Sequence, residues 1–493
     1  MRPAWPGNAM SGVTAAVVAI ATRLEQEEPA FAEAAKAIRD RVEGPLQVAI
    51  AGRVKAGKST LLNALVGERL APTDAGECTR MVSWYRKGTG YQVSARLLDG
   101  RDQSLAFQRN EGSLDIQLGS LTERDVRWLD VRWPASTLDT VTLIDTPGIA
   151  SLNDENSRRT REFLDPEQGA SGDADAVIYL MRHVHAADVA FLEAFMDRTV
   201  AAASPVNAVG VLSRADEIGA GRLDAMDSAR RIASRYVSDP QIRGLCASVT
   251  PLAGLLAETG LTLREDEVAN LRTLAGTDAT VLERMLLSTD EFFEVSSSHL
   301  TVELRRDLLA RLGMFGVRVA LQELAAGATT AAALGPKLVG RSGLDELRRL
   351  IAEHFMPRSR VLKARTAVQA LRALAATMRT SNPDASVKLD REVEQVEAGA
   401  VEFARMRGAH LVSTGEAKVA ERERGELERL LLGATPAASV GLGPDAGTEE
   451  IRRKALEGVA KWRDRAADPL ADPAVVEVFE TAARSCESIY ATA

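Results

Sequence analysis

Apolar positions follow two different periods along the chain. In its middle part, short apolar runs typical of buried strands alternate with stretches whose apolar residues lie three and four apart, as in helices. Strands that alternate with crossover helices predict an α/β domain built on a mostly parallel sheet with flanking helices. The predicted strands are Leu46–Ala51, Val141–Asp145, Ala176–Leu180, Asn207–Leu212 and Ala247–Thr250. Two alternating segments, Met81–Arg86 and Tyr91–Leu98, flank a short glycine-containing turn and predict an antiparallel hairpin added to that sheet.

Both ends of the chain carry helical periodicity only. Near the start, apolar residues at helical spacing from Val13 to Val42 predict one amphipathic helix. From residue 357 onward, four further apolar stripes predict a helical bundle, because no helix can bury such a stripe alone. The first helix has the same need, so we expect a bundle built from both termini. The predicted organisation is a bundle helix over 1–44, the α/β domain over 45–356 and the rest of the bundle over 357–493.

Charge and cysteine content narrow the class of protein. The net charge of −8 predicts no nucleic-acid partner. Cys78, Cys246 and Cys486 show no pairing or metal-ligand spacing, which predicts neither disulfides nor a zinc site. The apolar run Val13–Ala21 could belong to a signal peptide, but the helical spacing continues through it. We therefore expect a cytoplasmic protein whose membrane contact, if any, is peripheral on the inner face of the plasma membrane.

A phosphate-binding loop follows the first predicted strand. Residues 52–59, Gly-Arg-Val-Lys-Ala-Gly-Lys-Ser, fit the pattern G-x-x-x-x-G-K-[S/T], and a helix follows them. The glycines let backbone amides turn towards phosphate oxygens, and the helix N-terminus adds a positive dipole end. Lys58 is predicted to span the β- and γ-phosphates and Ser59 to ligate Mg²⁺. The predicted nucleotide contacts of this loop are Gly52, Lys55, Ala56, Gly57, Lys58, Ser59 and Thr60.

Two further motifs that would contact Mg²⁺ and the γ-phosphate are predicted after the loop. Asp145-Thr146-Pro147-Gly148 ends a strand, so Asp145 should face the magnesium ion and the Gly148 amide should reach the γ-phosphate. Between this motif and the loop, the Thr79 hydroxyl is predicted to complete the Mg²⁺ shell and to hold the attacking water. The predicted metal ligands are thus Ser59, Thr79 and Asp145.

No glutamine follows the second switch motif. Ile149 occupies the place where Ras-like GTPases carry the glutamine that orients the attacking water. Lys55 is therefore a candidate to supply positive charge near the bridging β–γ oxygen, and a solvent-facing Lys55 is the open alternative. The predicted catalytic residues are Lys58, Thr79 and Lys55.

The nucleotide base is predicted to be guanine. Ser213-Arg214-Ala215-Asp216 follows a strand where guanine-specific GTPases carry N/T-K-x-D. Asp216 would accept hydrogen bonds from guanine N1–H and from the exocyclic amine, a pair of donors that adenine lacks. Ser213 and Arg214 depart from the pattern, although the Arg214 stem can still lie against the base. The predicted cofactors are GTP and Mg²⁺.

With these motifs, the chain resembles the bacterial dynamin-like GTPases. The resemblance is carried by the loop at 52–60, by Ala-Pro-Thr-Asp-Ala-Gly-Glu-Cys-Thr-Arg at 71–80, by Ser-Arg-Ala-Asp-Glu-Ile-Gly-Ala-Gly-Arg at 213–222 and by Gly-Met-Phe-Gly-Val-Arg at 313–318. It implies a GTPase domain on a helical neck and trunk, homodimers formed through GTPase domains, and membrane remodelling at the trunk tip. It also implies a part in the envelope's response to drugs such as isoniazid, alongside a larger dynamin-like paralogue.

Two functions remain open at this point. One is a GTPase that remodels membrane, and the other is a regulatory GTPase that binds a protein such as the paralogue without remodelling membrane. A ribosome-assembly GTPase fits the motifs but not the acidic charge. The predicted contact with anionic lipid is Leu431–Pro444, through Leu432 and Leu442, beside a basic helix face. The alternative is a linker beside a helix whose glutamates cancel that charge.

Overall fold

The computed structural model describes residues 12–71, 81–110, 113–147, 174–182, 207–295 and 298–493. Its strands are β1 Leu46–Gly52, β2 Ser83–Lys87, β3 Gln92–Leu97, β4 Asp102–Ser104, β5 Ala106–Asn110, β6 Ser113–Gln117, β7 Val126–Trp133, β8 Val141–Asp145, β9 Ala176–Met181, β10 Ala208–Ser213 and β11 Val249–Leu252. Its helices are α1 Gly12–Glu27, α2 Ala32–Glu43, α3 Lys58–Val66, α4 Ala225–Ser238, α5 Pro240–Arg243, α6 Gly254–Thr262, α7 Glu265–Ala275, α8 Ala279–Met285, α9 Thr289–Glu294, α10 Val302–Ala325, α11 Ala331–Ser342, α12 Leu344–Leu350, α13 Ser359–Met378, α14 Pro383–Gly399, α15 Val401–Thr414, α16 Glu421–Leu432, α17 Pro436–Ser439, α18 Thr448–Ala466 and α19 Pro473–Thr492.

A nine-stranded sheet forms the centre of the α/β domain, in the order β11-β10-β9-β1-β8-β2-β7-β3-β4. The five strands from β11 to β8 are parallel, and their side chains are almost all buried. These are the five predicted strands, so the prediction of a mostly parallel sheet is confirmed. Their register aligns Ile50 with Asp145 and Gly52 with Leu180, which brings the carboxyl ends of β1, β8 and β9 to one edge.

The predicted hairpin between the segments at 81–86 and 91–98 is wrong. The two corresponding strands, β2 and β3, do not pair, because β7 lies between them, parallel to β2 and antiparallel to β3. The intervening turn binds the same strand, since the Gly88 amide donates to the Trp133 carbonyl at 3.0 Å. Val126, Leu129, Val131 and Trp133 of β7 are buried, so the strand fills a core position that local turn chemistry could not reveal.

The predicted single N-terminal helix is in fact two helices. α1 ends at Glu27, a 3₁₀ turn spans Pro29–Phe31, and α2 packs back against α1. Pro29 supplies the break, because proline has no backbone N–H and disfavours helical backbone in the residue before it. Glu28 accordingly has φ −124° and ψ 77°. The periodicity continues across the break because both helices bury one face.

The helical region is built from both termini, as predicted. α1 and α2 pack with α13 and α14 around one apolar core. Arg23 on α1 pairs with Glu392 on α14 at 2.6 Å. The helices α15, α16, α18 and α19 enclose a second apolar core, in which Trp462 stacks on Phe479. This second bundle also contacts the α/β domain, where Arg243 Nε donates to the Ser413 carbonyl at 3.2 Å.

No loop separates the sheet from the bundle at the predicted border near residue 357. α12 continues through a π-helical turn at Ile351–Phe355 and a 3₁₀ turn at Met356–Arg358 directly into α13. Pro357 stands in the first turn of this last segment, where a missing N–H is tolerated. A nearly unbroken helical run therefore leads from Leu344 to Met378.

The segment predicted to contact lipid is engaged within the protein. Leu432 and Val440 are half-buried against the apolar cores, and the Leu432 carbonyl accepts a hydrogen bond from Arg358. On the neighbouring α18, the three cations of the predicted basic face are paired with carboxylates: Lys454 with Glu457, Lys461 with Glu426, and Arg465 with Glu423. This arrangement favours the linker interpretation. Among the helices of the described ranges, we find none with the length and apolar character needed to cross a bilayer.

Gly343, between α11 and α12, is a position where any side chain should destabilise the fold. It has a φ of +85°, and a Cβ there would stand closer than 3.0 Å to the Pro251 carbonyl at the end of β11. We expect Gly343→Ala to lower the free energy of unfolding by about 2 to 3 kcal/mol, because strain and a backbone clash add together. The matched control is Gly340→Ala in α11, where no atom lies within 4 Å of the new Cβ. Thermal unfolding of both variants checks this, and equal Tm values would contradict it.

Candidate functional site

The phosphate loop is a tight left-handed turn between β1 and α3. Gly52, Lys55 and Gly57 have φ angles of 151°, 63° and 93°. A Cβ on Gly52 would stand 2.5 Å from the Leu180 carbonyl of β9, so the loop leaves the sheet at a point that only glycine can occupy. Gly57 then caps the N-terminus of α3. Ala56 is buried within the turn, and the Lys55 side chain is exposed. The backbone thus has the shape that the motif predicts.

Lys58 is a buried cation beneath this loop. Its Nζ donates to the carbonyls of Gly52 and Arg53, both at 3.3 Å. Burial lowers the pKa of Lys58, and the nearby Asp145 carboxylate works in the opposite direction. An ammonium has three donors, and long bonds to neutral carbonyls compensate its buried charge poorly. The site therefore fits an anionic phosphate next to Lys58.

Two of the three predicted metal ligands meet at the edge of the sheet. Ser59, at the start of α3, donates through Oγ to Asp145 Oδ2 at 3.2 Å. The other carboxylate oxygen, Oδ1, is buried and has no hydrogen-bond partner among the described residues. Burial raises the pKa of Asp145 to about 6, against the opposing effects of Lys58 and Ser59. A hydroxyl and an unsatisfied carboxylate oxygen are ligands that Mg²⁺ accepts, so these residues fit the ion.

The elevated pKa predicts how stability depends on pH in the nucleotide-free protein. An unfolded Asp145 releases its proton near pH 4, whereas the folded one holds it to about pH 6. Between these values the native state binds more protons, so the free energy of unfolding falls as pH rises. In the parent, this fall in the free energy of unfolding should be on the order of 2 kcal/mol across the range, and the Asp145→Asn protein, which has no carboxyl group to titrate there, should not show it. Denaturant unfolding of both proteins in EDTA at pH 4, 5, 6 and 7 measures the difference, and parallel curves would contradict the prediction.

The predicted guanine motif lies at the end of β10, on the same edge. Ser213 is buried, and its Oγ donates to the Met181 carbonyl of β9 at 3.3 Å, so it ties two strands together. Arg214 adopts a left-handed φ of 52°, and its exposed guanidinium donates to Glu217 at 2.7 Å. Asp216 is half-buried, and burial raises its pKa to about 6. The roles of Arg214 and Asp216 towards the base stay predictions.

The structure brings most of the predicted site together at one sheet edge. The phosphate loop with Thr60, Asp145 and the Ser213–Asp216 segment lie at the carboxyl ends of β1, β8 and β10, three of the five parallel strands. In open α/β sheets ligands bind at this edge. Thr79 and Gly148 lie outside the described residues, so their predicted roles stay predictions. No cluster of three or more histidine, cysteine, aspartate or glutamate side chains suited to a metal occurs in the described part of the chain.

Sequence reasoning missed Asn63, a buried residue of α3 behind the phosphate loop. Its Oδ1 accepts from the amides of Leu70 and Ala71 at 2.8 and 2.7 Å, and its Nδ2 donates to the Ala71 carbonyl. It thereby fixes the residues directly before the segment that contains Thr79. The available signal was a single asparagine within the apolar helix sequence Leu-Leu-Asn-Ala-Leu-Val.

A buried ion-pair network lies next to Asn63 and was also missed. Glu258 on α6 pairs with Arg69 at 2.8 Å and lies within 4.0 Å of Arg311 on α10. Arg311 also pairs with Glu267 at 2.6 Å. Burial raises the pKa of Glu258, against the effect of both arginines. The network therefore joins Arg69, which precedes the segment that contains Thr79, to the three helices α6, α7 and α10. These helices lie on the side of the domain that carries the guanine motif.

Comparison with known proteins adds independent evidence. Residues 48–201 match the model of the Dynamin family. The isoniazid-induced protein IniC of Mycobacterium tuberculosis is 40% identical over 454 residues, which cover 92% of this chain and 91% of that protein. The bacterial dynamin-like protein of Nostoc punctiforme is 30% identical over 151 residues, which cover 28% of this chain and 21% of that protein.

One solved structure overlaps most of the chain at low similarity. It is described as an oligomerised bacterial dynamin pair, shares 15% identity, and covers 87% of this chain and 81% of its own. Its TM-score is 0.30, which is too low to define a shared arrangement of helices and strands.

Proposed function

This chain belongs to the dynamin-like GTPases, within the family of the isoniazid-induced protein IniC, and from that premise we propose that it binds and hydrolyses GTP with Mg²⁺. The observation that carries the proposal is the contact between Ser59 and Asp145, 3.2 Å apart, beside the buried ammonium of Lys58. No other described part of the molecule combines a left-handed phosphate loop with a hydroxyl and a carboxylate at a sheet edge.

Each residue has a distinct part in the proposed reaction. The loop amides and Lys58 hold the phosphates, Ser59 and Asp145 hold the metal ion, and Asp216 selects guanine. Bound Mg²⁺ supplies positive charge to the phosphoryl group as it is transferred. Thr79 is proposed to position the attacking water. Lys55 is exposed at the rim of the loop, so it can act on transition-state charge only where something covers the loop and excludes water.

A second GTPase domain is the covering element we propose, since the chain has no glutamine after its second switch motif. Two copies facing each other across their loops would exclude water from both sites, and hydrolysis would then depend on association. The proposal extends to membrane remodelling in the envelope's response to isoniazid-type drugs, driven by that association.

A second candidate function has a specific observation in its favour. Lys454, Lys461 and Arg465 are paired with glutamates, and the half-buried Leu432 packs on the protein cores, so these four side chains of the predicted lipid contact are engaged within the protein. A regulatory GTPase that binds a protein partner, such as a larger dynamin-like paralogue, requires no such anchor. Co-sedimentation with liposomes of anionic lipid, with and without GTP, separates the two candidates: GTP-dependent sedimentation of the chain alone supports remodelling, and its absence supports the partner.

Hydrolysis per molecule should rise with protein concentration. The reason is that pairing of GTPase domains completes the site around Lys55. We expect the specific rate of phosphate release to increase several-fold across a hundredfold concentration series and then to level off. The Lys58→Ala variant at the highest concentration serves as the control for contaminating phosphatases. A specific rate that stays flat across the series would remove the pairing step from the proposal.

A further inference from the structure

Helix α10 is interrupted where it passes the guanine motif. Gly313 has φ 65° and ψ 172°, values outside the helical range, so the helix bends there. A Cβ on Gly313 would stand 3.5 Å from Asp216 Oδ2 and 3.9 Å from Leu255 on α6. The bend therefore places a position without a side chain directly beside the carboxylate that is proposed to select guanine.

The bend is stabilised by contacts from α6. In a regular helix the Arg311 carbonyl would accept the amide four residues later. Here it accepts a hydrogen bond from the hydroxyl of Thr259, whose side chain is fully buried. Glycine residues and side chains that bond to a helix carbonyl are recognised causes of helix kinks, and both are present here. The interruption is thus a built feature of the packing between α6 and α10.

The second half of α10 holds the loop that follows Asp216. Arg318 Nη1 donates to the carbonyls of Ala220, at 2.9 Å, and Gly221, and its Nη2 donates to the Leu286 carbonyl. The loop needs this support, since Gly219, Ala220 and Gly221 have consecutive positive φ angles of 63°, 59° and 70°. A Cβ on Gly221 would lie 3.1 Å from the Phe315 amide nitrogen, so the loop rests directly on the helix.

We propose that α10 forms a wall of the guanine site, with Gly313 as a specificity-determining residue and Arg318 as a positioning residue for Asp216. This inference rests on the proposed function. A base nitrogen that donates to Asp216 must approach its oxygen to about 2.9 Å. A methyl group at position 313 would stand in van der Waals contact with Oδ2 and compete for that space. Arg318 acts through the loop, because it fixes the backbone four and five residues after Asp216.

Titration with GDP and ADP tests the part of Gly313. ADP reports the phosphate contacts, and the ratio of the two affinities reports the base contact. We expect Gly313→Ala to weaken GDP at least tenfold and to leave ADP within about twofold, with Gly340→Ala as the matched control at parent values. An unchanged GDP affinity, or an equal loss for both nucleotides, overturns the inference. A parent protein that does not prefer GDP over ADP contradicts the proposed guanine site itself, which is a separate result.

A second pair of variants, at Arg318, tests the inference without placing a side chain on the strained backbone of Gly313. Arg318→Gln removes the cation that bridges three carbonyls. Arg318→Lys keeps the positive charge but lacks the planar guanidinium, whose several N–H groups can bind more than one carbonyl at once. We expect the GDP-to-ADP affinity ratio to fall about tenfold in the first and less in the second, while Arg306→Gln, on an exposed face of the same helix, leaves it unchanged. A merely structural arginine would lower Tm without changing the ratio, and that outcome would overturn the positioning role.

Discussion

Replacing Lys58 with alanine should abolish GTP hydrolysis and weaken GTP binding about a hundredfold, since a charge-assisted contact to phosphate is worth up to about 3 kcal/mol. The fold should survive. Among the described residues, Lys58 donates hydrogen bonds to two loop carbonyls at 3.3 Å, and burial makes its charge unfavourable in the nucleotide-free protein, which lowers its pKa. Isothermal titration with GTP, phosphate release and thermal unfolding together measure the three quantities.

Two further variants make the result specific. Lys58→Met keeps the apolar stem and fills the same space, so it separates loss of charge from loss of volume. It should match the alanine variant in activity and exceed it in Tm. Lys36→Ala, on the exposed face of α2, removes a lysine outside the predicted site and should behave as the parent. If Lys58→Ala hydrolysed GTP at the parent rate, the assignment of the phosphate loop as the active site would be wrong.

Asp216→Asn should abolish the preference for GTP over ATP. A carboxylate accepts hydrogen bonds from both guanine donors, whereas an amide presents one acceptor and one donor group to the same edge. The loss of one bond to a charged acceptor, with a donor group now facing the exocyclic amine, corresponds to about 3 kcal/mol, or roughly a hundredfold in affinity. Xanthine carries a carbonyl where guanine has its exocyclic amine, so the variant should gain affinity for XTP.

Competition titration of a fluorescent GTP analogue with GTP, ATP and XTP measures all three affinities. The matched control is Asp224→Asn, an exposed carboxylate in the following loop that pairs with Arg222 at 3.1 Å. It should keep the parent order of affinities. An Asp216→Asn protein that still selects GTP over both competitors would place the base elsewhere in the molecule.

The fold was predictable from sequence wherever burial is decided locally. The five parallel strands are continuous apolar runs, because both their faces are covered, and the helices of the bundle show one-sided stripes. The hairpin at 81–98 was wrong because strand pairing depends on partners distant in sequence, here β7. The break at Pro29 was missed because the apolar spacing matched on both sides of it, although the proline itself was a visible signal.

The residues of the candidate site fall into the same two groups, those that a local sequence pattern marks and those that only tertiary contacts reveal. Gly52, Lys58, Ser59, Asp145 and Asp216 belong to motifs whose spacing alone marks them, and the structure brings them to one edge. The groups around them became visible only through tertiary contacts. Glu258 depends on arginines from two other segments, and Gly313 matters because a distant stretch of chain passes Asp216. No local pattern encodes such proximity.

The run of helix from Leu344 to Met378 has the properties of a lever. At its base, Arg348 donates to the Ala64 carbonyl of the phosphate-loop helix at 3.1 Å, so the lever is attached directly to α3. Its long arm, the 20 residues of α13, extends about 30 Å at 1.5 Å per residue. By that length, a rotation of about 10° at the base would carry the far end through about 5 Å. Because α1 and α2 pack on α13, such a rotation would carry this pair of helices with it.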